Sequence, residues 1–199
     1  PREPMTPRKI DASHIVPLAE YAGQRAERRK RISEIKKNRR LEVGPFATFY
    51  FECFDTMLHQ IQEMLFIEKG GAEQLADELA AYNPLIPTGA ELVATVMFEI
   101  DDPIRRARVL ATLGGVEHKA FVRVGGEVVR GVAEEDQERS RDDGKASSVQ
   151  FIRFPFTSAQ VAAFRGGAGD VVVGFDHANY GHMAVMPAAV REALAGDFA

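Results

Sequence analysis

The side chains best equipped for chemistry lie close together near the C-terminus, in Gly174-Phe175-Asp176-His177-Ala178-Asn179-Tyr180-Gly181-His182-Met183. Asp170-Val171-Val172-Val173 before this run and Met183-Ala184-Val185-Met186 after it read as strands, and Ala178-Asn179-Tyr180-Gly181 has turn composition. A four-residue loop places His177 directly opposite His182, with Cβ atoms about 4.5–5.5 Å apart on one face. Two such imidazoles with Asp176 beside them supply two or three ligands of a zinc or iron site, needing one more donor such as His118 or Glu99. Without a metal, either histidine suits proton transfer near neutral pH, and Asn179 and Tyr180 become ligand contacts. The competing reading is structural. In it the histidines and Tyr180 hydrogen-bond a tight loop, and Asp176 and Asn179 satisfy turn backbone.

A second chemistry is electrostatic. Between Arg25 and Arg40 stand nine Lys/Arg against Glu27 and Glu34, a local +7 in a chain of net charge −4, so the rest carries −11. Arg28, Arg29, Arg31 and Lys36 are the natural contacts for an anionic ligand, an acidic protein partner or a nucleic acid backbone. Internal charge matching to the acidic body is the plainer alternative. Only Tyr21 lies near these cations as an aromatic platform, which ranks nucleic acid below the other anions.

These groups need elements to position them. Ser13 and Pro17 suit a helix start, and the basic segment reads as one long helix over residues 13–40, following a flexible tail at 1–12. Phe46 to Glu52 has the aromatic content of a strand, and Asp55 suits the cap of a helix from Thr56 to about Glu68. A second short helix, Ala72 to Tyr82, completes an αα-hairpin. Leu92 to Ile100 is nearly continuously apolar, as a central strand covered on both faces must be. Asp101-Asp102-Pro103 opens a helix over Ile104 to Leu113, and Gly125-Gly126 joins Ala120–Val124 to Glu127–Arg130 as a hairpin. Residues 133–146, rich in acids and without apolar periodicity, read as a mobile loop. After the strand Ser148 to Phe156, Thr157-Ser158-Ala159-Gln160 is a capping box, and Pro187 starts a terminal helix.

Several classes fall away. No Glu stands three residues before a His on the helices of the αα-hairpin, so a carboxylate-bridged di-iron bundle is not indicated. Gly166-Gly167-Ala168-Gly169 follows a helix, whereas a dinucleotide fingerprint follows a strand. Asp142-Asp143-Gly144-Lys145 lacks calcium-loop spacing. The lone Cys53 reads as a buried structural thiol, and no Gly-x-Ser-x-Gly elbow occurs. The longest apolar run is too short for a membrane span, and the first residues have no signal-peptide core, so a cytoplasmic protein is the expectation.

Arg28-Arg29-Lys30-Arg31 through Lys37-Asn38-Arg39-Arg40, Ala47-Thr48-Phe49-Tyr50-Phe51-Glu52, Gln60-Ile61-Gln62-Glu63-Met64-Leu65, Ala81-Tyr82-Asn83-Pro84-Leu85-Ile86-Pro87 and Asp176-His177-Ala178-Asn179-Tyr180-Gly181-His182-Met183 carry a resemblance. Over nearly its whole length the chain resembles an uncharacterised bacterial family of about this size, known by a domain-of-unknown-function label. The resemblance brings no assigned activity or catalytic residue. It implies a redox or peroxide-stress context, because relatives are encoded beside rubrerythrin-like and iron–sulfur oxidoreductase proteins.

The reading is therefore a single α+β domain over residues 1–199, with a mostly antiparallel sheet, flanking helices and a long basic N-terminal helix. Its leading function is accessory binding of an anionic ligand or partner. An enzyme using His177 and His182 is the alternative, nucleic-acid binding the second, and self-association is left open.

Overall fold

A computed structural model describes residues 7–134 and 145–199. Most of the expected mobile loop, residues 135–144, lies outside the described residues. Ala12–His14 form a 3₁₀ turn capped by Asp11, and α1 runs over Leu18–Lys37 from Pro17. The basic helix is thus shorter than 13–40. Arg39 leaves it and Arg40 begins a strand, β1 (Arg40–Val43), that the sequence reading did not separate. The tail expectation is corrected too, because Ile10 is wholly buried and Asn83 hydrogen-bonds its backbone N–H and C=O.

The remaining elements are β2 (Ala47–Phe51), α2 (Phe54–Glu68), α3 (Gly71–Tyr82), β3 (Glu91–Phe98), α4 (Pro103–Ala111), β4 (Ala120–Val124), β5 (Glu127–Arg130), β6 (Val132–Ala133), β7 (Val149–Pro155), α5 (Ser158–Gly166), β8 (Val172–His177), β9 (Tyr180–Val185) and α6 (Ala188–Ala195). Cap chemistry holds at α4 and α5, whereas Ser13 does not cap α1, whose N-cap is Pro17. Asp102 accepts from the Arg105 N–H, and Thr157 and Gln160 form their reciprocal box. At α2 it differs: Cys53, not Asp55, is the N-cap, and its N–H donates to Thr56 Oγ1.

Among the described residues all pairing is antiparallel, in line with the mostly antiparallel sheet expected, but it is divided between two sheets, β1-β2-β3-β7-β6 and β5-β4-β8-β9. Their facing sides enclose the main core, to which Phe49, Phe51, Val96 and Ile152 come from the first sheet and Val122, Val173 and Phe175 from the second. The pleat sends alternate residues of β2, β3 and β7 to the other side of the first sheet. There Val93 and Phe151 meet Phe54, Met57, Ile61 and Leu65 of α2 in a second core. Helix α2 thereby covers the outer face of the first sheet, with α1 and α3 packed against it, and this helical layer decides where the cations of α1 end up.

Candidate functional site

The C-terminal hairpin departs from the expected register by two residues. Its loop is Ala178-Asn179 alone, His177 pairs with Tyr180, and His182 lies opposite Phe175. The directly opposed imidazoles are corrected to diagonal neighbours, a spacing of about 7–8 Å. His177 Nε2 lies 2.9 Å from Gly114 O, to which it donates, and Nδ1 accepts from the Asn179 N–H at 3.1 Å. Both ring nitrogens are thus engaged in the fold. Asp176 pairs with Arg130 at 2.6 Å on the other face of the hairpin, and His182 packs over Gly44, whose positive φ and missing Cβ make the room. Among the described residues no three His, Cys, Asp or Glu side chains gather closely enough to hold a metal. The expected donor set for zinc or iron is therefore not assembled from Asp176, His177 and His182.

Asn179 and Tyr180 hold the fold together. Asn179 Nδ2 donates to Thr112 O at 3.0 Å, tying the hairpin tip to the end of α4. The buried Tyr180 hydroxyl donates to Val43 O at 2.6 Å and receives the N–H groups of Phe46 and Ala47 at 3.0 and 2.8 Å. It fastens the edge of one sheet to the first turn of the other.

The basic helix is divided by its own periodicity. Arg25 turns inward, holds Glu63 through Nε and Nη2 and covers the Phe66 ring. The Tyr21 hydroxyl also donates to Glu63, and burial pushes that phenol up to about 12. Arg25 holds the Glu63 carboxyl below its ordinary value, chiefly through its hydrogen bonds. This part of the charge run is internal matching. One turn on, Arg28 bonds Gln24, and with Arg31 it lines a groove of about 220 Å³ floored by Ile32, Ile35 and Leu58 and bounded by Asp55 and His59. Arg29 and Arg31 are exposed, and no acidic partner meets Arg31 among the described residues. Burial lowers the His59 pKa. Lys36, Arg29 and Arg28 add to that, and Glu63 opposes it.

Beyond the helix end the polarity goes underground. Arg39 is 6% exposed and reaches Phe51 O through Nε, and Glu52 O and Asp197 Oδ2 through Nη2, the last at 2.5 Å. It separates two further cavities. One, of about 200 Å³, is lined by Arg8, Cys53, Asp55 and Asp197, and Arg8 also donates to the backbone of Pro87 and Asp197. The other, of about 190 Å³, contains Lys36, Tyr50, Glu52, Thr95 and Met97. Burial pushes the carboxyls of Glu52 and Asp197 and the Cys53 thiol up, each opposed by Arg39. The three cavities thus line up around the second half of α1 and the start of α2.

Residues 9–198 match the family described as "Protein of unknown function (DUF3501)". The chain belongs to this family. The DUF3501 protein shares 35% identity and a TM-score of 0.89 with a crystal structure of a protein of unknown function from Burkholderia pseudomallei, a match that covers 96% of this chain and 100% of that one. No curated protein matches it. The redox setting implied by resemblance gains nothing from either match. Among the described residues of this DUF3501 protein no helix is long and apolar enough to cross a membrane. Arg39, Glu52 and Asp197 went unrecognised in the sequence. The available signal was an acid closing an aromatic strand, at Tyr50-Phe51-Glu52, with an arginine just past a helix end.

Proposed function

We propose that this protein binds a small anionic ligand in the groove between α1 and α2, where Arg28, Arg31 and His59 surround an apolar floor. The observation that carries this reading is the contrast between Arg25, neutralised by Glu63, and Arg31, which faces the groove with no acidic partner among the described residues. An arginine fork matches a phosphate or carboxylate, and a groove of about 220 Å³ admits one such group and not the face of a protein. Nucleic acid is disfavoured because Tyr21 is fully buried and offers no surface for a base to stack on.

Pyrophosphate is a suitable probe. Calorimetric titration should show binding that weakens about 10- to 100-fold in Arg31→Ala, since a hydrogen bond to a charged group is worth about 1.5–3 kcal/mol. Arg31 is exposed, so the melting temperature should stay unchanged. Equal affinity of Arg31→Ala and the parent protein would remove the groove from the account.

A further inference from the structure

The cavity beyond Arg39 has a different chemistry from the groove. Its back wall is Glu52, 8% exposed, with Thr56 Oγ1 2.6 Å from Oε2 and Thr95 Oγ1 3.1 Å from Oε1. The Thr56 hydroxyl accepts the Cys53 N–H at 2.9 Å and is placed to donate both to Glu52 and to Cys53 O at 3.1 Å. One hydroxyl hydrogen cannot serve two acceptors. A neutral Glu52 resolves the conflict: Oε2–H donates to Thr56, Thr56 donates to Cys53 O, and Thr95 donates to Oε1. Burial, which pushes this carboxyl up, acts in the same direction.

With Glu52 neutral, the cavity keeps two cations and an apolar side. Lys36 stands at its rim with no ion-pair partner among the described residues. Arg39, which also lines the cavity, directs Nε and Nη2 to protein acceptors, while Nη1 has none among the described residues. A guanidinium that is almost wholly buried therefore retains a free pair of N–H donors. Met97, 37% exposed, and the Tyr50 ring supply the apolar wall, and Tyr50 directs its hydroxyl away to Glu99. The volume of about 190 Å³ is close to that of cavities of roughly 150 Å³ that hold benzene.

We propose that this cavity binds a short-chain monocarboxylate, its carboxylate held by Lys36 and Arg39 Nη1 beside Glu52 and its hydrocarbon end lying against Met97 and Tyr50. An ionised Glu52 repels that carboxylate, so once Glu52 is ionised in the free protein the ligand and one proton enter together. The groups facing Glu52 are Lys36 from α1, Arg39 after it, Thr56 and Cys53 from the start of α2, Tyr50 and Thr95 from the strands, and Asp197 across Arg39. Of these the two cations favour an ionised Glu52, and a bound carboxylate neutralises their field.

Butyrate is the probe, titrated calorimetrically into the full chain in two buffers of different ionisation enthalpy, over a pH range in which butyrate itself stays ionised. The expected result is an affinity that is flat with pH while Glu52 is neutral in the free protein and falls about tenfold per pH unit once it ionises, with proton uptake rising from about zero to about one per butyrate over the same range. Glu52→Gln should bind with an affinity that no longer changes with pH. Lys36→Met, an exposed substitution, should weaken binding about tenfold or more, while butyramide should not bind. Arg31→Ala should bind butyrate as the parent protein does, which separates this site from the groove. Binding of butyramide as tight as that of butyrate, or an undiminished affinity in Lys36→Met, overturns the assignment. So does loss of affinity in Arg8→Met with none in Lys36→Met, which would move the carboxylate to the other side of Arg39. If Glu52→Gln does not fold, the parent protein decides, and a proton count that stays at zero at every pH at which the chain is folded refutes the proposal.

Discussion

Replacing Arg39 by methionine should be among the most damaging single changes in this chain, and the loss should depend on pH. The Arg39 and Asp197 side chains are 7% and 8% exposed and 2.5 Å apart. Removing one member of such a pair strands the other charge in a poorly solvated place, at a cost of about 3–5 kcal/mol. The carbonyls of Phe51 and Glu52 lose their guanidinium donors at the same time. For a chain of this length each kcal/mol moves the melting temperature by about 2–4 °C, so a fall of roughly 6–20 °C is expected. Burial already pushes Asp197 up and Arg39 opposes it. Without Arg39 the folded-state value rises further, and a raised carboxylate loses stability as pH rises through it. The deficit should therefore be smaller at pH 5 than at pH 8. Urea unfolding followed by circular dichroism, on Arg39→Met, Asp197→Asn and the double variant, provides the test. The double variant should fall short of the summed single losses by at least about 2 kcal/mol, because neither charge is left stranded. Losses additive to within about 0.5 kcal/mol would refute a coupled buried pair. Arg39→Lys should not rescue, since an ammonium cannot span three acceptors in the geometry of the guanidinium.

Two further outcomes concern the elements that hold the layers together. Glu63 has a lowered folded-state value, so its contribution is present above the unfolded value of 4.5 and is lost as pH falls through the folded one. The difference in melting temperature between Glu63→Gln and the parent protein should accordingly be largest near neutrality and vanish on acidification; a constant difference would contradict the ion pair with Arg25. Tyr180→Phe keeps the ring but strips partners from Val43 O and the N–H groups of Phe46 and Ala47. It should cost about 2–4 kcal/mol in urea unfolding and leave pyrophosphate affinity unchanged, and a loss below about 0.5 kcal/mol would mean that the two sheets do not depend on this fastening.

How much could be read in advance followed the range of the interaction. Gly125-Gly126, Asp102-Pro103 and Thr157 with Gln160 act within four residues, and each formed the turn or cap its chemistry dictates. The hairpin at 178–179 shows the limit of such signals. Four turn-forming residues were available, and the choice of a two-residue loop coincides with Tyr180 reaching Val43, Phe46 and Ala47, more than 130 positions earlier. That choice set the histidine geometry, and no local signal contained it.

The sequence by itself determined that the chain is α+β, that its strands pair in antiparallel fashion, and that a dense positive charge enters along one helix, because propensity, caps and alternation are local properties. Only the tertiary structure decided what each charge does. Arg25, Arg31 and Arg39 are chemically identical, yet one is neutralised by Glu63, one faces an open groove, and one is buried against Asp197, 158 positions away. The physical reason is solvation. A guanidinium in water is one more surface cation, whereas one enclosed by a sheet, a helix start and the last turn of the chain must find partners there.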